Sequence, residues 1–380
     1  MKNLFVLLFI TILFQSITPQ SNTCEIAFVI ISTEVKDSES VFIVGSDSLL
    51  GNWNPSAVKL VKVNDSTWTK SIKFKVGKNF EYKFTKGSWE KEALDADGFI
   101  PNNSIHKVIR DTVITLEIKK WRNLERRINH GQISGTVKYH LQFEGEGLKP
   151  RDIVVWLPSN YEQDNNKRYP VFYMHDGQNV FDPATSSFGY DWRIDEVADS
   201  LSKVEVINDI IIVAIYNTSD RGLEYTHSAL GYKYMDFIVS KLKPFIDAEY
   251  RTLTDCENTA IAGSSLGGLI SFMLVWNYPQ VFSKAACLSP AFKIQELNYV
   301  DSIACYSGTK KALKLYIDNG GIGLESELQP GIDEMIVALQ NNGYVLGKDL
   351  FWSVDPNAIH SESAWAQRIW QPLVYFFGKN

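Results

Sequence analysis

The hydrophobic pattern changes period once, near residue 120, and no single layered domain accommodates both halves. From Cys24 to about Lys120 apolar residues alternate in short runs, such as Val41–Val44, Trp68–Phe74 and Phe80–Phe84. Turn residues separate them, among them Gly51-Asn52, Asn54-Pro55, Gly77 and Gly87. Short period-two runs at this spacing predict an all-β sandwich over residues 24–120. Past residue 132 the pattern becomes strand-like apolar runs at 153–157, 171–174, 210–216, 259–262, 313–317 and 350–354. Amphipathic segments at 232–246, 269–277, 331–340 and 363–377 lie between them, so residues 132–380 are expected to form a mainly parallel sheet with helices on both faces. The polar, basic stretch 121–131 reads as a linker, and the chain as multidomain.

Residues 1–20 read as a secretory signal: Lys2, then the apolar run from Leu4 to Phe14, then a polar exit through Gln15, Ser16 and Thr18. That run is shorter than the ~20 residues of a membrane span. The expectation is a secreted protein, extracellular or periplasmic, with no stable membrane insertion after cleavage. A net charge of -6 leaves no basic excess for a phosphate backbone, which argues against nucleic acid as a partner. Four cysteines in a chain of 380 residues are no scaffold; Cys256 pairing with Cys287 or Cys305, or free thiols, are the alternatives. There is no CxxC pair and no HExxH, so neither a metal site nor a cofactor is expected.

The strongest local signal is Gly263-Ser264-Ser265-Leu266-Gly267, a G-x-S-x-G pentapeptide between a strand run and a helix run. A serine on a sharp strand-to-helix turn needs neighbours without side chains two positions away on either side. This α/β-hydrolase arrangement orders its triad as nucleophile, acid, histidine. Of the six histidines only His360 follows Ser265, which makes it the general base by elimination. Two carboxylates compete for the third place. Asp318 ends the 313–317 run, while Glu325 lies farther along a glycine-rich loop whose length would let it reach His360; Glu325 is preferred. The oxyanion donors are expected to be the backbone N–H groups of Leu266 and of Gln178, in the turn after the 171–174 strand.

Residues 150–380 resemble the esterase D-like (putative esterase) branch of the α/β-hydrolases. The matching pieces are Tyr173-Met-His-Asp-Gly-Gln-Asn-Val-Phe-Asp182, Asn217-Thr-Ser-Asp-Arg-Gly-Leu-Glu-Tyr225, the elbow itself and His360-Ser-Glu-Ser-Ala-Trp365. The resemblance implies Ser265 and His360 in their usual roles, Glu325 as acid, and an oxyanion turn at Asp176, Gly177 and Gln178. It implies carboxylic-ester hydrolysis, with acyl transfer to a sugar hydroxyl as the alternative that one branch of the family uses.

Aromatic residues make up 13% of the chain, but only Trp53 and Trp89 are flanked by turn residues in the first half. A flat indole exposed on a turn can stack against a sugar ring. The runs Val41-Phe-Ile-Val-Gly-Ser46, Leu50-Gly-Asn-Trp-Asn-Pro55 and Phe80-Glu-Tyr-Lys-Phe84 resemble the starch-binding domain of carbohydrate-binding family 20. That resemblance implies Trp53, Lys83, Trp89 and Glu90 as the glucan site. The asparagine stretch that usually follows the second tryptophan is replaced by Glu92–Asp95, with Asp95 or Asn102 as substitutes. The expected whole is a secreted serine esterase held on starch or a related α-glucan, with a non-catalytic glucan-binding protein as the alternative of another class.

Overall fold

Alternation along the first strand sets up the first domain: in Thr23–Ile31, Ile26, Phe28 and Ile30 point inward while the termini are exposed. The computed structural model describes residues 22–36, 38–95, 101, 103–122 and 133–379. The expected signal at 1–20 lies outside them. One sheet of the sandwich runs, in order, Val61–Asn64, Thr67–Lys75, Thr23–Ile31 and Thr112–Glu117. The other runs Val58–Lys59, Phe42–Gly45, Asn79–Thr85 and Ser104–Lys107. Aromatic contacts close the space between them. Phe74 stacks on Phe80 at 4.4 Å between ring centroids, and Phe28 meets Tyr82 edge-on at 5.3 Å. Trp68 is buried in the same core.

Trp121, placed at the start of the expected linker, lies in a strand instead. Lys120–Trp121 pairs antiparallel with Ala93–Leu94, and Trp121 donates from Nε1 to Ser32 Oγ at 2.9 Å, closing the sandwich core. A basic flank hid this strand, because its one apolar residue gives no period. Residues 123–132 lie outside the described residues.

The second domain is an eight-stranded sheet in the order 136–145, 148–157, 211–215, 171–175, 259–264, 284–288, 314–322 and 350–359. The first two join antiparallel and the rest run parallel. Both faces are covered, so the central strands are buried at every residue, as in Val171–His175 and Ile211–Ile215. Lys284–Leu288 was not expected as a strand; alanines and a cysteine give it a weak apolar signal although it is central. All four cysteines are free. No helix among the described residues is long and apolar enough to cross a membrane.

The helix expected at 331–340 runs instead over Leu324–Asn341 and passes through Pro330. Proline removes one i→i−4 bond, which suggests a start after it. The first turn is held from outside, however: Ser326 Oγ donates to the Gly321 carbonyl at 2.6 Å, and Asn319 Nδ2 donates to the Glu325 carbonyl at 2.9 Å. Glu325 therefore stands on a rigid helical turn and not on a loop.

The two domains are pinned together by Arg122. Its guanidinium donates to the main-chain carbonyls of Ala184 (3.4 Å), Ser186 and Ser187 (3.2 Å) in the second domain. In the first domain it meets Glu92 at 3.4 Å, and Glu92 also holds Lys83 at 3.3 Å. Burial pushes the Glu92 carboxyl up to about 7 even with two cations beside it. Removing one partner from a buried ion cluster costs about 3 kcal/mol or more. Arg122→Ala is thus expected to split one calorimetric unfolding transition into a lower-melting sandwich and a later hydrolase domain; an unchanged profile would rule out the pin.

Candidate active site

The strand Thr259–Ser264 passes directly into the helix Leu266–Asn277, and Ser265 at the junction has φ 57° and ψ −122°. Positive φ strains a residue with a side chain, so its surroundings must hold it there. They do so through close backbone approach. A Cβ on Gly263 would lie 2.6 Å from the Gly267 carbonyl, and one on Gly268 would lie 3.0 Å from Pro290. Main-chain bonds fix the turn further: Ser265 N–H donates to Leu288 at 3.0 Å, and Ala291 N–H donates to Ser265 at 3.0 Å. The serine hydroxyl does not cap the helix it opens. Leu266, as the first helical residue, has an N–H with no intrahelical acceptor.

The neighbouring strand Val171–His175 ends in the turn that carries Gln178. Asp176 opens that turn at φ 54°, and a Cβ on Gly267 would come within 3.2 Å of Asp176 Oδ2, so the turn lies over the start of the elbow helix. Arg221 holds Asp176 with two bonds, Nε to Oδ1 and Nη2 to Oδ2, each 2.7 Å. Asn217 adds a third bond at 2.6 Å. Burial alone would raise the Asp176 carboxyl, but Arg221 and Asn217 hold it below the usual aspartate value. Glu224 pairs with buried Arg151 at 2.6 Å, and Tyr225 Oη accepts from the Asp176 amide at 3.3 Å. These residues act as supports for the turn.

His360 lies between the last strand, which ends at Ile359, and the helix Glu362–Arg368. Its Nδ1 stands 3.4 Å from Oε2 of fully buried Glu325. Burial would raise the Glu325 carboxyl, but the His360 ring, the Ser289 hydroxyl and Arg368 outweigh it and leave the pKa lowered. Asp318 faces other groups. Arg368 Nε lies 2.9 Å from its Oδ2, Tyr316 Oη donates to the same oxygen at 2.9 Å, and the Ser289 amide reaches Oδ1 at 3.3 Å.

Ser289 joins the two halves of the site and was not foreseen. It follows Leu288, which binds the elbow; its hydroxyl donates to Glu325 Oε1 at 2.7 Å and accepts from Trp365 Nε1 at 2.9 Å. Trp365 in turn packs edge-on against the His360 ring at 4.9 Å. Glu362, buried two residues after His360, accepts from Asn179 at 3.2 Å and is pushed up to about 8 by burial. Ser289 belongs to no motif and is visible only through contacts with residues distant in sequence; Glu362 lies in the His360–Trp365 piece, but its bond to Asn179, far back in the chain, is not marked there.

In the sandwich, Trp53 and Trp89 are half-buried with ring centroids 6.4 Å apart and planes tilted by 37°. Trp53 sits at φ 64° in its turn. Lys83, expected to meet sugar hydroxyls, is buried instead. Its ammonium pairs with Glu92 and lies 4.7 Å from the ring centroid of Phe188 in the second domain. A strand position facing the domain boundary explains this. The side chain of Glu90, and Asn102, lie outside the described residues. Trp89 also contacts Phe188, at 6.2 Å, so the tryptophan pair borders the catalytic domain.

Comparison with known proteins fits this geometry. The "Putative esterase" family model matches residues 148–371. The chain belongs to that family. The "Starch binding domain" model matches residues 23–107 of the same esterase. It is 21% identical over 249 residues to the uncharacterized protein YbbA of Bacillus subtilis (strain 168), covering 60% of this chain and 94% of that one. It is 26% identical over 166 residues to an endo-1,4-beta-xylanase/feruloyl esterase of Xylanibacter ruminicola, covering 43% of this chain and 22% of that one. Among solved structures, a ferulic acid esterase superposes with a TM-score of 0.54 at 22% identity over 64% of this chain and 98% of its own. The enterobactin esterase FES from Shigella flexneri superposes with a TM-score of 0.53 at 12% identity over 94% of each chain, which extends the likeness in fold across both domains.

The esterase also carries a buried acid-sensitive group beneath the turn that Asp176 opens. His175 is fully buried, with Nδ1 2.9 Å from Tyr234 Oη and Nε2 without a partner, and burial lowers its pKa to about 3. The unfolded chain takes up this proton below about pH 6.5, whereas the folded chain resists until about pH 3. Stability from this residue is therefore present above 6.5 and is lost as pH falls, by about 1.4 kcal/mol per pH unit. Urea unfolding of His175→Gln between pH 7 and 4 should lack that one-proton slope; an equal slope in variant and wild type would contradict it.

Proposed function

We propose that this esterase is a secreted serine carboxylic-ester hydrolase that cleaves acyl esters of the acetyl or feruloyl type on an α-glucan or related polysaccharide. The observation that carries the reading is Ser265 at φ 57° on the elbow, with His360, just past the last strand, and Glu325, on the first turn of the helix Leu324–Asn341, meeting at 3.4 Å. Ser265 Oγ attacks the ester carbonyl while His360 Nε2 accepts its proton and Glu325 orients the ring. The amides of Leu266 and Gln178 receive the developing oxyanion. Collapse expels the alcohol, which takes the proton back from His360. Water, deprotonated by His360, then releases the acid and restores Ser265.

The same acyl-enzyme could pass its acyl group to a sugar hydroxyl, and the nearby tryptophan pair supports keeping this second reading. Partitioning of a labelled acyl group between water and added oligosaccharide separates the two, with water expected to dominate. Ser265→Ala should lower hydrolysis of p-nitrophenyl acetate by about a thousandfold or more. Equal activity in the variant would reject Ser265 as nucleophile, and an inactive wild type would leave only a glucan-binding role.

For the sandwich, Trp53 and Trp89 are proposed to stack on glucan, without direct help from Lys83. Trp53→Ala with Trp89→Ala should abolish retention on insoluble starch and leave p-nitrophenyl acetate hydrolysis within about twofold. Because the pair borders Phe188, kcat/KM on a soluble acylated maltooligosaccharide should also fall, by about tenfold for roughly 1.4 kcal/mol of lost stacking. Unchanged starch retention would reject the platform.

A further inference from the structure

Outside the elbow, three carboxylates converge where the segment from Asp191 enters the helix Ile194–Lys203. One oxygen from each of Asp191, Asp195 and Glu196 lies within 4.8 Å of the other two. Asp195 is fully buried. Its Oδ2 accepts from the Ser134 amide at 2.6 Å and the Ser134 hydroxyl at 3.2 Å, whereas its buried Oδ1 has no donor and faces Glu196; burial and that neighbouring carboxyl push Asp195 up to about 8. Glu196 repeats the pattern. Its Oε1 meets the exposed Arg193 at 3.6 Å, and its Oε2 is buried without a partner. Asp191 Oδ2 accepts from the Arg193 amide at 3.2 Å.

Buried anionic oxygens without donors are strongly unfavourable unless a proton or a cation stands between them. The start of a helix favours negative charge in general, but its diffuse partial charge gives these two oxygens no donor. The donor set contains only carboxylate oxygen, which suits hard divalent cations and not zinc or copper. A loop and a helical turn together impose irregular geometry, which Ca2+ tolerates and Mg2+ does not. The cluster also borders a groove lined by Tyr190, Ser363 and Gln367, where water could complete the coordination.

We propose that Asp191, Asp195 and Glu196 form a divalent-cation site, preferring Ca2+, that braces the back of the catalytic centre. Trp192 lies inside the chelating segment. Its backbone N–H donates to the Asn179 carbonyl, next to the oxyanion turn, at 2.9 Å, and its ring lies 5.7 Å from Trp365, which packs on His360. The cation acts by fixing this segment and takes no part in bond making.

The test uses chelator-treated full-length protein at pH 8, titrated calorimetrically with CaCl2, MgCl2 and MnCl2. One saturable equivalent of Ca2+ is expected, with Mg2+ weaker, and a rise in unfolding temperature of about 5 °C at a hundredfold excess over Kd. Glu196→Gln, at a partly exposed position that should still fold, is expected to weaken Ca2+ binding at least tenfold, and Asp195→Asn to abolish it. Absence of saturable binding of all three ions would overturn the proposal, leaving a shared proton between Asp195 and Glu196. Binding unaffected by Glu196→Gln would overturn it as well. Neither result depends on esterase activity.

Discussion

A serine held at positive φ is the constraint around which the second domain is built. Such a conformation persists only where the surroundings over-determine it. Here the surroundings are backbone: Gly263 against Gly267, Gly268 against Pro290, and two main-chain bonds from the elbow to the segment Leu288–Ala291. That segment also carries Ser289, which binds Glu325, so the strained serine and the carboxylate beside His360 share one support. A shift of either would be felt by the other through a few covalent bonds.

What could be read in the chain followed the range of the interaction involved. Ser265 was legible because its requirements are local and fall on glycines two residues away. His360 was singled out by triad order and by being the one histidine after Ser265, and the fold sets its ring beside Glu325. The preference for Glu325 over Asp318 used loop length, yet the residue stands on a helical turn, and Asp318 is occupied by Arg368, fifty positions further on. No local pattern marks such a partner. The same holds for Lys83: the resemblance to the starch-binding domain put it in the glucan site, but its direction at the domain boundary depends on Glu92 and Phe188. The two architectures themselves were legible because period two and strand–helix alternation are properties of every residue in a segment.

Arg122 shows why a composition-based boundary between modules can mislead. Polar, basic residues usually signal solvated chain, and the stretch beginning at Trp121 has that character. Yet a guanidinium has five donors in a rigid plane and suits three main-chain carbonyls and a carboxylate at once. In this chain it joins Glu92 in the sandwich to residues 184–187 in the catalytic domain. A charged residue thus does at the boundary what an apolar contact does in a core.

A pinned module also changes what carbohydrate attachment accomplishes. A domain on a loose tether raises the local concentration of every ester within the radius its linker sweeps. With Trp89 against Phe188 and Arg122 locked to the catalytic domain, the separation between the tryptophan pair and Ser265 is set by the fold. As the proposed glucan platform, the pair would then work as a ruler. A polymer stacked on Trp53 and Trp89 would present to Ser265 only those acyl groups at one fixed number of sugars along the chain, and substitution pattern, not ester density, would govern how fast it is deacylated.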